Sequence, residues 1–230
     1  MSNPFTGRVA REYDSFFETP FGRTVLKLEG ELLLNLLLPY REGELLEVGC
    51  GTGIWMKFLK EREFKEPTGL DLSLDMLRQA KKKGLRKLVN GTALSLPFPD
   101  DSFDVSLFVT SLEFVTDRKR ALLEAARVSR EAVVIAFLNR HSLLNLYREV
   151  KGFFGSSVYS SANFLTREEL LKLSRYVGEV SRKRLKLEKF LTTLNLSIAN
   201  FVNEEWERRI GFNSPFGAFA AALFKVKRWS

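Results

Sequence analysis

Cysteine and histidine are almost absent from this sequence. Cys50 is its one cysteine and His141 its one histidine. A lone thiol excludes an internal disulfide framework and any zinc site built on cysteines. A lone imidazole excludes His-cluster metal sites. No apolar run approaches the roughly 20 residues that a membrane-spanning helix needs. Residues 1–10 lack the apolar core of a signal peptide. Both absences make a cytoplasmic protein the expectation. Gln79 is the one glutamine, set against 36 Lys and Arg and 28 Asp and Glu, a balance that suits a heat-loving host.

What is present fits a soluble α/β protein. The 230 residues are 45% hydrophobic and 28% charged, enough apolar material for one well-filled core. A single domain over 1–230 is expected, with an N-terminal lid and first helix in 1–40. A ligand-binding core follows in 41–138, then substrate-side insertions and the last strands in 139–230. The net charge of +8 admits two readings: attraction to a polyanion such as RNA, or a heavily solvated surface. Lys81, Lys82, Lys83, Arg86 and Lys87 form one basic cluster, and Arg182, Lys183, Arg184 and Lys186 another. Neither carries an Arg-Gly or aromatic-interleaved motif, so the solvated surface is favoured over nucleic acid.

Hydrophobic periodicity places a long helix over 23–38, ended by Pro39. Short apolar runs predict strands over 44–48, 68–72, 85–89, 103–109 and 132–138. Helical patterns fall between them at 54–62, 73–83 and 117–130. Strand and helix alternate, which predicts parallel strands with right-handed crossovers and helices on both faces. Beyond Asn139 the rhythm changes. Helices are expected over 141–154 and 166–176, and strands over 180–190 and 219–228. The stretches 139–165 and 190–215 read as insertions covering one sheet edge.

The strongest chemical signal is Glu47-Val48-Gly49-Cys50-Gly51-Thr52-Gly53-Ile54, a glycine-rich turn between a buried strand and a helix. Glycine permits positive φ and close approach of a ligand to the backbone, and the following helix offers free N–H groups. Alone, such a turn serves NAD, FAD or a structural bend. A dinucleotide fingerprint requires a third glycine where Ile54 stands. The G-x-G-x-G spacing with a preceding acid instead resembles the first motif of class I S-adenosylmethionine-dependent methyltransferases. The broad small-molecule group, similar to the methyltransferases of quinone biosynthesis, is the nearest in pattern.

That resemblance implies a Rossmann-like methyltransferase fold: a mostly parallel seven-stranded sheet, helices on both faces and an N-terminal helical lid. It also implies S-adenosylmethionine as cofactor and S-adenosylhomocysteine as product. Glu47, Gly49, Cys50, Gly51 and Gly53 would meet the methionine part. Asp71, twenty residues after Gly51, would accept from the ribose hydroxyls, with Leu72 and Met76 flanking adenine. Thr92 stands where the family carries an Asp toward the adenine amino group, and Ala93 follows it. Thr110 opens the segment beneath the transferred methyl. Tyr13, in the lid with Phe16 and Phe17, would bind the cofactor, an aromatic face near the sulfonium being stabilising; an amphipathic helix packed on the core is the competing account of that segment.

The expected reaction is in-line methyl transfer to a small-molecule acceptor. His141 and Glu113 are the candidate catalytic groups, and Phe17, Tyr147 and Tyr159 candidate acceptor contacts, with solvent-facing, capping or core roles as their ordinary alternatives. Methylation of RNA or protein is a second hypothesis, drawn from the charge. A non-catalytic cofactor-binding protein is a third, drawn from Thr92 and from Phe114, which stands where relatives often place a His. The acceptor and the oligomeric state are not legible.

Overall fold

A computed structural model describes residues 4–142, 163–195 and 202–229. Two short helices, α1 (Gly7–Glu12) and α2 (Ser15–Glu18), precede the long α3 (Pro20–Leu37). Thr19 caps α3: its hydroxyl accepts from Gly22 N–H at 3.0 Å. Pro20 takes the first helical position, where its missing N–H costs nothing. Then follow β1 (Leu45–Val48), α4 (Ile54–Lys60), β2 (Thr68–Asp71), α5 (Leu74–Lys82), β3 (Leu88–Asn90) and β4 (Phe103–Val109). After these come α6 (Arg118–Val128), β5 (Ser129–Leu138), α7 (Arg167–Val180), β6 (Lys183–Thr193), α8 (Glu204–Ile210) and β7 (Phe219–Arg228).

The seven strands form one sheet in the order β3-β2-β1-β4-β5-β7-β6, and only β7 runs antiparallel to its neighbours. This is the Rossmann-like arrangement expected from the alternation of elements. Side chains along the central strands alternate between two cores, as the strand period requires. Leu45, Val105, Leu107 and Val134 face α3 and α4, where Leu32, Leu33, Leu36, Trp55 and Phe58 meet them. Leu46, Phe108, Val133 and Ile135 face α6 and α7, packing with Leu122, Leu170 and Val177. Burying each such leucine stabilises the fold by about 1.5–3 kcal/mol relative to leaving it in water.

Several boundaries depart from expectation. The strand expected over 85–89 begins at Leu88, because Leu85 turns inward to pack with Met56, Leu77 and Ala80. The strand expected over 180–190 runs from Lys183 to Thr193, drawn out by its pairing with β7 from Arg228 to Phe219. The 190–215 stretch therefore gives its first residues to the sheet edge and contains α8, whose Asn203 cap accepts from Trp206 N–H. Residues 4–19 form two short helices and not one continuous amphipathic helix. The helix expected over 141–154 falls almost wholly outside the described residues. Among the described residues no helix is long and apolar enough to cross a membrane.

The order in which strands are added reverses between β1 and β4, although the two run parallel. After β1 the chain winds outward through β2 and β3; it then returns to lay β4 and β5 on the other side. The crevice beyond the carboxyl ends of β1 and β4 is the place where open α/β sheets bind ligands.

Candidate cofactor and acceptor site

Three glycines shape the loop after β1, each for a different reason. Gly49, Gly51 and Gly53 all have positive φ, at 77°, 54° and 73°. A Cβ on Gly49 would strike Ser111 at 2.6 Å, so this glycine lets the tail of β4 come close. A Cβ on Gly53 would strike Leu85 at 2.3 Å, so this one lets α4 pack. A Cβ on Gly51 would meet nothing within 4 Å, so its backbone faces open space, as a ligand cradle requires.

The carboxylate of Asp71, at the end of β2, organises this loop. Its Oδ2 accepts from Gly51 N–H at 2.8 Å and its Oδ1 from Ser73 N–H at 2.7 Å. Burial pushes its pKa up, and the two N–H groups pull it back. Each oxygen keeps acceptor capacity beyond its one bond. Glu47, on β1, is sealed at 1% exposure, and its Oε2 has no hydrogen-bond partner. Burial holds its pKa well above the ordinary carboxylate range; the Asp71 charge adds to this and the Met56 backbone opposes it. A cationic group brought beside it would favour the charged form.

The remaining walls come from β3 and β4. Thr92 Oγ1 accepts from Leu94 N–H at 3.2 Å, and Ala93 packs partly buried beside it. Asn90 Nδ2 donates to the Asp71 and Leu72 carbonyls, bracing the ends of β2 and β3. Thr110 sits at φ 45°, rare for a β-branched residue, with its N–H held by Ala136 O at 2.8 Å. Ser111 Oγ donates to Val48 O at 2.7 Å, tying the tail of β4 to β1.

The N-terminal segment crosses these strand ends. Ser73 Oγ donates to Phe5 O, Gly7 N–H to Asp75 Oδ2 at 2.8 Å, and Thr52 Oγ1 to Asp14 Oδ1 at 2.6 Å. Lys83 pairs with Asp14. The Phe5 ring meets Phe114 edge-on at 4.8 Å, and Tyr13 lies between Phe5 and Phe17 at 6.2 and 6.4 Å. The segment is thus fastened to the glycine loop, to the start of α5 and to the tail of β4.

Comparison with known proteins agrees with this arrangement. Residues 46–137 match the family model described as a methyltransferase domain. An uncharacterized protein of Methanocaldococcus jannaschii is 33% identical over 174 residues, covering 74% of this chain and 78% of its own. A demethylmenaquinone methyltransferase of Lysinibacillus sphaericus is 35% identical over 116 residues, covering 47% of this chain and 50% of its own. The crystal structure of an S-adenosylmethionine-dependent methyltransferase from Thermotoga maritima, described as a possible histamine N-methyltransferase, superposes with a TM-score of 0.74. It is 31% identical, over 96% of this chain and 97% of that one.

The chain belongs to the S-adenosylmethionine-dependent methyltransferases. This methyltransferase uses S-adenosylmethionine, and its residues fit that molecule. The backbone of Gly51 faces open space, Asp71 holds the loop in shape, and one buried oxygen of the Glu47 carboxyl has no hydrogen-bond partner.

Not every residue picked from the sequence reaches the crevice through its side chain. Cys50 is buried against Gly69 in a small apolar cluster, with its thiol pKa pushed up by that burial and its N–H bonded to Leu70 O. Met76 is buried at the base of α5, while Leu72 is 62% exposed at the rim, so the two do not form matching walls. His141 is exposed beyond β5. Glu113 is buried, and its Oε1 accepts from Leu138 N–H at 2.9 Å. Tyr147 and Tyr159 lie outside the described residues. The bonds made by Phe5, Asp14, Thr52, Lys83, Asn90 and Ser111 emerge only from the structure. Their bonds join distant segments, and no local pattern announces them.

Proposed function

We propose that this methyltransferase acts on a small-molecule acceptor. The observation that carries the reading is the fastening of the lid. Phe5 reaches Phe114 at the tail of β4, and the lid backbone bonds to Ser73 and Asp75 on the opposite side. A polymer chain would have to displace this cover to reach the strand ends, whereas a small apolar molecule is enclosed by it. The resemblance to a demethylmenaquinone methyltransferase and to a possible histamine N-methyltransferase supports the same class.

In this reading Glu47, Gly49, Gly51, Gly53, Asp71, Thr92, Ala93 and Thr110 hold S-adenosylmethionine, which supplies an electrophilic methyl on a sulfonium. The backbone of the glycine loop and the Asp71 carboxylate orient it. The Glu47 carboxyl takes up charge against its ammonium group. Phe5, Tyr13, Phe17 and Phe114 exclude water and present ring faces to a cation. The task left to the protein is alignment of the acceptor atom. Glu113 acts as a positioning residue, joining the tail of β4 to the end of β5 through Leu138 N–H.

The test is methyl transfer from isotopically labelled S-adenosylmethionine to quinols, phenols and amines, beside total RNA and protein. Turnover on a small acceptor, lost when Phe5 and Phe114 are both replaced by alanine, is the expected result. Turnover confined to RNA or protein would overturn the reading.

A further inference from the structure

A cleft of about 430 Å3 lies between the lid and α5, lined by Gly7 and Arg11 on one side and by Asp75, Arg78, Lys81 and Lys82 on the other. Four cations face one carboxylate, and that carboxylate is already committed. Asp75 accepts from Gly7 N–H at 2.8 Å and pairs with Arg78 at 2.7 Å. Among the described residues Arg11, Lys81 and Lys82 form no ion pair; Lys82 reaches only the side-chain amide of Gln79, at 3.4 Å.

Lys81 and Lys82 have an ordinary explanation, since basic residues at the C-terminal end of a helix complement its dipole. Arg11 likewise stands in the last turn of its helix, α1, and acts on the Asp75 carboxylate from the side opposite α5. Asp75 is one negative charge among four cations, and a bound anion would offset the repulsion that it leaves. Arginine forks and lysine ammonium groups converging from two elements are the donor set for phosphate oxygens. The volume falls in the range of small-ligand pockets. S-adenosylmethionine carries no phosphate, so the cofactor does not account for the cleft.

We propose that this cleft binds a phosphate-bearing small ligand, which fastens the lid over the cofactor site. The lid segment that forms one wall of the cleft also places Phe5 against Phe114 and bonds to Ser73, two residues beyond Asp71. An anion bridging Arg11 to Lys81 and Lys82 therefore favours the closed lid, and by linkage the closed lid favours the anion.

The test uses the full chain, with pyrophosphate as the probe and S-adenosylhomocysteine as the reporter. Affinity for S-adenosylhomocysteine is measured by calorimetry in pyrophosphate and in chloride at equal ionic strength, with phosphorus NMR reporting pyrophosphate binding directly. The expected result is an affinity about five-fold higher or more in pyrophosphate, the lower end of ordinary coupling between sites. The enhancement should vanish in a variant carrying Arg11→Ser and Lys81→Ser that still binds S-adenosylhomocysteine in chloride. Unchanged or weakened affinity in pyrophosphate would overturn the proposal, and so would an enhancement that survives in the variant. Binding of a single-stranded RNA in place of pyrophosphate would also overturn it, making this face a nucleic-acid surface.

Discussion

The hydroxyl of Thr52 donates to Asp14 Oδ1 at 2.6 Å, so a side-chain pair joins the glycine loop to the N-terminal segment proposed as a lid. Lys83 closes the triangle, pairing with Asp14 and donating to the Thr52 carbonyl at 2.8 Å. Thr52 is buried, and the Asp14 and Lys83 side chains are partly shielded from solvent. Asp14→Ala should therefore loosen the lid more than it destabilises the fold. We expect S-adenosylhomocysteine to bind about 1 kcal/mol more weakly, the net worth of a typical hydrogen bond, with most of the change in the dissociation rate. Stopped-flow displacement measures that rate. A dissociation rate unchanged by Asp14→Ala would mean that the lid is held elsewhere.

Asp71 has a double duty that separates two of its variants. It holds the Gly51 and Ser73 N–H groups and keeps acceptor capacity for ligand hydroxyls. Asp71→Ala removes both functions and should weaken S-adenosylhomocysteine binding by about 1–3 kcal/mol. Asp71→Asn keeps one acceptor oxygen and should fall between the variant and the native protein. Calorimetric titration of both variants checks the order; equal affinity in Asp71→Ala and the native protein would remove Asp71 from the site.

The glycine loop, Asp71 and the sheet were legible in the sequence because each rests on a local rule. Glu47 through Gly53 is a contiguous strand-to-helix turn, and the alternation of apolar runs dictates parallel strands. The lid contacts were not legible for the opposite reason. Gly7 and Asp75 are 68 positions apart, and Thr52 and Asp14 are 38 apart, so nothing short-range pairs them. Cys50 and Met76 show a subtler limit. Both sit in or beside the recognised motifs, yet their side chains turn to the core, because a motif fixes backbone course without fixing which face a side chain takes.

Glu113 should make stability depend on pH. Its pKa is raised from 4.5 to about 7, chiefly by burial, against the pull of the Leu138 N–H and of Arg118. A carboxyl with a raised folded pKa favours the native state fully below its unfolded pKa. That contribution is lost as pH rises from about 4.5 toward about 7, and the deficit persists above. Glu113→Gln keeps an oxygen for Leu138 N–H and removes the charge. It should flatten this part of the urea-stability profile and raise stability at pH 8 by up to about 3 kcal/mol. A native and variant profile of equal slope between pH 5 and pH 7, taken on the ordinary two-state unfolding curve, would contradict the assignment.

Lys183, in the second basic cluster of the sequence, is a structural cation. Its Nζ donates to the carbonyls of Ala126, Arg127 and Ser129 at 2.9, 2.9 and 2.8 Å, and pairs with Asp101 at 2.6 Å. The first two of these carbonyls belong to the last turn of α6, which a cation completes. The side chain is 12% exposed, so the carbonyls would find little water if it were removed. Lys183→Met should cost about 3 kcal/mol of stability, the scale for stranding buried acceptors and a paired carboxylate. Because β6 lies at the sheet edge opposite β3, affinity for S-adenosylhomocysteine should stay within about two-fold, well under the tenfold that 1.4 kcal/mol represents. Urea unfolding beside calorimetric titration reads both quantities. A stable Lys183→Met with impaired cofactor binding would invert the argument and place Lys183 in the site's support.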